Sequence, residues 1–322
     1  MARKDRPENR IKVGLSTCLL GQKVRFDGQH KHDRYITDIL GQYFRFVPIC
    51  PEVEVGMGVP REAVRLEGDV NAPRMIGSRT GEDWTDRMNT YSRERVGQRD
   101  LSAIRGYILK KDSPSCGMER VKLYHTSGGA ERKAVGLYAR ALLDQLPLLP
   151  VEEEGRLNDI RIRDNFIVRV FAYDRLRKLF QAGWKRKAVV AFHTAHKYLI
   201  MAHSPTHYTE MGRLVAAISK YTPAEFRDAY SRAFMEALKV KSTTKKNVNV
   251  LQHIMGYLKH HLTPDEKTSV NSVIEDYHKE LVPLVVPLTL IKHYVEKFDV
   301  GYIADQVYLN PHPKELMLRN HV

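Results

Sequence analysis

Short apolar runs alternate with longer mixed segments along the first half of the chain. Residues 11–16 and 44–49 read as strands, 106–109 opens a third, and 147–151 is a fourth. Between them, 34–42, 83–105 and 135–146 have helical composition. Strands alternating with helices predict a mainly parallel sheet with right-handed crossovers, an α/β fold. The stretch 54–81 is rich in Gly, Pro and Arg and reads as a long functional loop.

The second half changes period. Residues 157–181 place Ile160, Phe166, Val170, Leu176 and Phe180 among charged positions, as a helix with one apolar face does. Further helices are expected at 188–201, 208–219, 224–240, 249–261 and 264–280, with Thr263 as an N-cap and Pro264 in the first turn. The pattern predicts two domains: an α/β domain over 1–155 and an all-α helical domain over 156–322. The longest apolar run, 281–291, is interrupted by Pro283 and Pro287 and is too short to span a bilayer.

Composition sharpens this division. The 322 residues carry a formal charge of +14, which points to an anionic partner such as nucleic acid, nucleotide phosphate or a membrane surface. Residues 1–155 hold 26 basic and 22 acidic side chains; residues 156–322 hold 26 and 16. Cys18, Cys50 and Cys116 all lie in the first half, and eleven of the fourteen histidines lie in the second. An odd, sparse cysteine count argues against a disulfide framework. The charged first residues, with no apolar stretch behind them, predict no secretory signal. A cytoplasmic protein without a membrane segment is expected.

The cysteines hold the sharpest signal. Cys18 follows the first strand, Cys50 the second, and Cys116 lies in the loop after the third. Ligands of an open parallel sheet bind beyond the carboxyl ends of its strands, so three crossovers bring these thiols to one edge. Three buried apolar residues is the plain alternative. Three thiolates without a neighbouring histidine suit a soft metal. Zinc on three cysteines is one option. A four-iron cluster with one iron left open to a substrate atom is the sharper one.

The residues around these thiols resemble a known family. Cys18-Leu19-Leu20-Gly21, Val24-Arg25-Phe26-Asp27-Gly28, Val47-Pro48-Ile49-Cys50-Pro51-Glu52-Val53 and Lys111-Asp112-Ser113-Pro114-Ser115-Cys116-Gly117 are similar to the motifs of the thiouracil desulfidases. The resemblance covers about residues 10–155. It implies a [4Fe-4S] cluster on Cys18, Cys50 and Cys116 and removal of sulfur from thiolated uracils. The second half resembles the YbgA-type domain at Phe192-His193, His196-Lys197, Leu199 to Pro205, Tyr308 to Pro311 and Glu315 to Asn320. One departure stands out. Where short desulfidases continue with a Gly-Gly-Leu-Pro-Thr-Pro-Arg-like stretch, this chain reads Glu54-Val55-Gly56-Met57-Gly58-Val59-Pro60-Arg61-Glu62, which points to a different substrate from free thiouracil.

Desulfuration needs the sulfur held, a water directed at carbon, and protons moved. Glu52, two residues past Cys50, is the first candidate for proton transfer, and Asp27 the second. A helix cap or an arginine partner is the structural alternative for Glu52. Ser113 and Ser115 are candidates for hydrogen bonds to substrate or cluster sulfide, or plain turn residues. Arg25, Arg61 and Lys110 are candidates for a substrate phosphate. His193, His196, His203 and His207 cluster in sequence without a clear carboxylate partner, so satisfied or surface histidines are expected. The basic second half, with Lys241 and Lys245-Lys246, is expected to help hold a thiolated nucleotide or RNA. A non-catalytic nucleic-acid-binding or redox-sensing protein with a structural cluster or zinc is the competing reading. Oligomeric state is not legible.

Overall fold

The computed structural model describes residues 10–125, 128–181 and 183–321. Residues 1–9, on which the expectation of no secretory signal rests, lie outside the described residues. The described residues up to Asn158 form one compact unit, and those from Asp159 form a second. No helix among them is long and apolar enough to cross a membrane.

The first unit has strands β1 (Ile11–Ser16), β2 (Phe44–Ile49), β3 (Val64–Gly68), β4 (Pro73–Gly77), β5 (Tyr107–Leu109), β6 (Val121–Tyr124), β7 (Ala130–Ala134) and β8 (Val151–Glu153). Its helices are α1 (Pro51–Glu54), α2 (Thr85–Val96), α3 (Arg99–Ser102) and α4 (Leu137–Gln145). One sheet has the order β2-β1-β5-β8 with every pairing parallel. Val13, Leu15, Tyr107, Ile108 and Leu109 are buried, the continuous apolar run that a covered parallel strand needs. Gly14 is required here: a Cβ on it would stand 2.3 Å from the Tyr107 ring. From β1 the chain moves outward to β2, and from β5 outward to β8. The strand order therefore reverses between β1 and β5, which is where ligands of such sheets bind.

A second sheet corrects the expectation of a long loop. Residues 54–81 contain the β3–β4 hairpin, and the second sheet has the order β4-β3-β6-β7. Its middle pair is parallel and both outer pairs are antiparallel. Alternation explains it: Leu66 and Met75 point into a core with Met88, Val121, Leu123, Ala134 and Leu137, while Arg65 and Arg74 point out. The Gly and Pro residues lie around and at the ends of two short strands rather than along one loop.

Other elements shift. Residues 34–42 form a π turn, Tyr35–Ile39, followed by a 3₁₀ turn, Leu40–Gln42. The helix expected at 83–105 splits at Gly97 into α2 and α3. The last strand sits at Val151–Glu153, after Pro147 and Pro150, which have no N–H to give to a ladder.

The second unit is helical: α5 (Ile160–Leu179), α6 (Arg186–His203), α7 (Pro205–Ala216), α8 (Pro223–Lys239), α9 (Thr244–Leu258), α10 (Pro264–His278), α11 (Val285–Lys297) and the short α12 (Gly301–Ala304). Thr222 with Glu225 and Thr263 with Glu266 form complete capping boxes, each ahead of a proline at the first helical position. Phe226, Tyr230 and Phe234 stack along one face of α8, with centroids 5.6 and 6.2 Å apart. The run 281–291 reads as interrupted, yet α11 begins inside it. Pro287 falls in the first turn of α11, where its missing N–H costs nothing.

Candidate functional site

Each cysteine is set by its own strand end. Cys18 lies in the 3₁₀ turn Thr17–Leu20 directly after β1 and is buried. Cys50 ends β2 and is the N-cap residue of α1; its carbonyl accepts from Val53 N at 3.1 Å and Glu54 N at 2.9 Å. Cys116 sits in a loop tied to the start of α4. There Pro114 O accepts from Leu137 N at 3.1 Å and Ser115 O from Ala139 N at 3.0 Å. Gly136 permits that contact, since a Cβ on it would come within 2.4 Å of Ser115 O. The loop's far end is held by buried Glu153, whose Oε1 accepts from Met118 N at 2.7 Å.

These three thiols line one cavity of about 550 Å³, within the range of small-molecule sites. The cavity wall continues through Ser16, Arg25, Phe26, Glu52, Arg61, Lys110, Ser113 and Ser115. The ends of β1 and β5 are pinned together beside it, with Lys110 N donating to Ser16 Oγ at 3.0 Å.

Glu52 is held on both oxygens. Its Oε2 accepts from Arg61 Nε at 3.1 Å and Arg61 Nη2 at 2.5 Å. Its Oε1 accepts from Ser115 Oγ at 2.7 Å, and Ser113 Oγ lies 3.4 Å away. Ser115 Oγ is also 3.7 Å from Cys116 Sγ, so a chain of contacts runs from the carboxylate to a thiol. Glu52 thus has the arginine partner named as its structural alternative, and still faces the cavity.

The electrostatics are those of thiols whose burial outweighs the cations near them. Burial pushes Cys18 up to about 11, against the pull of Lys110. Burial also raises Cys50, with Glu52 adding to it. Cys116 is raised further by burial, opposed by the Ser16 and Ser115 hydroxyls. The charge of Cys50 reaches both other thiols and raises each. Such groups become thiolates only when a cation compensates them. Among the described residues, no group of three or more His, Cys, Asp and Glu side chains is placed to hold a metal ion. Three thiols on one cavity wall are soft donors, the chemistry that a soft metal centre takes.

Other expected residues separate. Asp27 is absent from the cavity wall; it lies in a turn, accepting from Gln29 N at 3.1 Å and 3.5 Å from Arg25 Nη2. Lys110 faces the cavity but is paired with Glu154 at 2.6 Å. Sequence reasoning passed over Arg65, Lys122 and Arg132, which also line the cavity. Strand pairing sets Arg65 beside Lys122 and Lys122 beside Arg132, a cross-strand row of three cations on the exposed face of the second sheet. Two of these charges are already met, Arg65 by Glu67 at 2.6 Å and Arg132 by Asp112 at 2.5 Å. The period-two alternation of 64–67 and 121–124 was the signal that reveals the row.

Residues 13–154 match the family model described as 2-thiouracil desulfurase. The uncharacterized protein YbbK of Bacillus subtilis (strain 168) is 30% identical over 152 residues, 45% of this chain and 97% of that protein. The chain belongs to the 2-thiouracil desulfurase family. Its second part, residues 197–313, matches a family described as protein of unknown function, DUF1722. The uncharacterized protein YbgA of Escherichia coli (strain K12) is 28% identical over 165 residues, 51% of this chain and 98% of that protein. A solved [4Fe-4S]-dependent thiouracil desulfidase, TudS, aligns with 47% of this chain and 95% of its own at 28% identity and a TM-score of 0.37. The chain therefore joins a desulfurase-family region to a DUF1722 region.

In the helical unit His193, His196 and His203 each have a partner. His196 is buried, with Nδ1 2.7 Å from Phe192 O and Nε2 accepting from Arg175 Nε at 3.1 Å. His203 Nδ1 is 2.7 Å from Val240 O, and His193 Nδ1 is 3.2 Å from Tyr230 Oη. Burial lowers His193 and His203 to about 4 and His196 to about 3. They are neutral packing residues.

Proposed function

We propose that the protein is a desulfidase that replaces the thiocarbonyl sulfur of a thiolated pyrimidine base, nucleoside or nucleotide by oxygen. The reaction is a hydrolysis: water supplies the oxygen, the carbon–sulfur bond breaks, and the sulfur leaves as hydrogen sulfide. The observation that carries the reading is the convergence of Cys18, Cys50, Cys116 and the anchored Glu52 on one cavity in a chain of the 2-thiouracil desulfurase family.

Cys18, Cys50 and Cys116 would hold a [4Fe-4S] cluster. Bound there, it supplies a thiophilic Lewis acid with one iron free of protein ligands. The chain's own groups do the rest. Glu52 takes a proton from the attacking water and returns it to the leaving sulfur. Ser115 orients Glu52 Oε1, the oxygen not bound by Arg61, and Ser113 supports Ser115, their hydroxyls being 3.0 Å apart. Phe26, 40% exposed on the cavity wall, offers a face for the pyrimidine ring. Arg25 and Lys122, both on the cavity wall, suit a phosphate on a nucleotide.

The test is Glu52→Gln, which keeps shape and removes the basic oxygen. Sulfide release from 2-thiouracil should fall roughly 10²–10⁴-fold with iron per chain unchanged. Undiminished turnover would remove Glu52 from the mechanism.

A further inference from the structure

Arg61 is on the cavity wall, and its charge suits a substrate phosphate, but its donors are taken up by the protein. Its side chain is 6% exposed. Nε and Nη2 both donate to Glu52 Oε2, and Nη1 donates to Val24 O at 3.0 Å and Gly58 O at 2.9 Å. Its backbone N–H donates to Phe26 O at 2.9 Å. Val24 O is in turn 3.9 Å from Cys50 Sγ. One guanidinium therefore ties together the carboxylate, the segment bearing Phe26, and the turn at Gly58.

We infer that Arg61 is a positioning residue for Glu52 and not a phosphate ligand. This rests on the desulfidase reading above for its catalytic consequence, and on the geometry alone for the coupling. A two-pronged contact holds Oε2 in place and leaves Oε1 directed at Ser115. Lysine keeps the charge but is a single point without the planar fork, so it cannot hold Oε2 and the Val24 and Gly58 carbonyls at once. A buried charged pair broken on one side also leaves the other charge uncompensated.

The experiment compares Arg61→Lys with the unsubstituted holoenzyme on 2-thiouracil and 2-thiouridine 5′-monophosphate. Positioning predicts a kcat lower by about 10–100-fold on both compounds, with each KM within about twofold. Iron per chain should not change. A KM raised for the monophosphate alone, with kcat kept, would make Arg61 a phosphate ligand and overturn the inference. Glu52→Asp gives a second line. Shortened by one methylene, the carboxylate cannot reach both Arg61 and Ser115, and the same kcat-only loss is expected. A thermal-unfolding cycle of Arg61→Lys, Glu52→Gln and the double variant needs no turnover. Non-additive melting shifts support the pairing, and additive shifts contradict it. Should the unsubstituted protein release no sulfide from either compound, the desulfidase reading fails while the cycle still decides the coupling.

Discussion

Both units bury reactive side chains, and they do so in opposite ways. In the helical unit, His196 finds one partner for each ring nitrogen, and His203 binds a carbonyl inside its own fold. In the α/β unit, Cys18, Cys50 and Cys116 are drawn to the rim of a cavity and held protonated by burial. Buried groups that are closed by their own fold stabilise it. Buried groups that meet across a cavity await something with charge. The contrast separates structural from functional residues better than residue type does, since histidine is the commoner metal ligand.

The comparison breaks most visibly at a thiol. Cys50→Ser, at the least buried of the three, should abolish sulfide release and lower iron per chain; full iron with full turnover would show the cysteine to be incidental. Next is the aromatic stack of α8. Phe234→Ala should cost the helical unit about 3–5 kcal/mol in denaturant unfolding, with iron per chain unchanged. A loss of iron there would blur the division drawn here.

Acid gives a smaller effect of definite sign. His193, His196 and His203 have folded-state pKa values below the ordinary 6.5, so the unfolded chain takes up protons first as pH falls. Their contribution is complete above about pH 6.5 and is lost as pH falls toward 4. The melting point of the helical unit should drop between pH 7 and pH 5, and His203→Asn should flatten that slope by up to about 1.4 kcal/mol per pH unit. An unchanged slope in the variant would mean that His203 takes up its proton at the same pH in the folded and unfolded chain. Smallest is Thr263→Ala, which opens the capping box of α10 and should cost about 1 kcal/mol.

Much of this was legible in the chain. The strand-end positions of Cys18 and Cys50 follow from apolar runs that stop within two residues of a reactive one. The cap at Thr263 is visible from Thr-Pro followed by Glu266. The β3–β4 hairpin was not legible, because the Gly, Pro and Arg residues of 54–81 made two short amphipathic strands look like a loop. Asp27 illustrates another limit: its motif places it near the site in sequence, but the turn accepting from Gln29 directs it elsewhere. The pairing of Arg61 with Glu52 lies nine positions apart across a turn containing Gly56, Gly58 and Pro60, and no local pattern reports it.

The central claim is that three cysteines hold a cluster that serves desulfuration. The most direct test is to purify the protein without oxygen and measure iron, acid-labile sulfide and sulfide release from 2-thiouracil on one sample. The account predicts roughly four iron and four sulfide per chain, as a [4Fe-4S] cluster requires, with turnover that follows iron content. No iron after anaerobic reconstitution, or a full cluster that releases no sulfide from any thiolated uracil or its nucleotide, would contradict it.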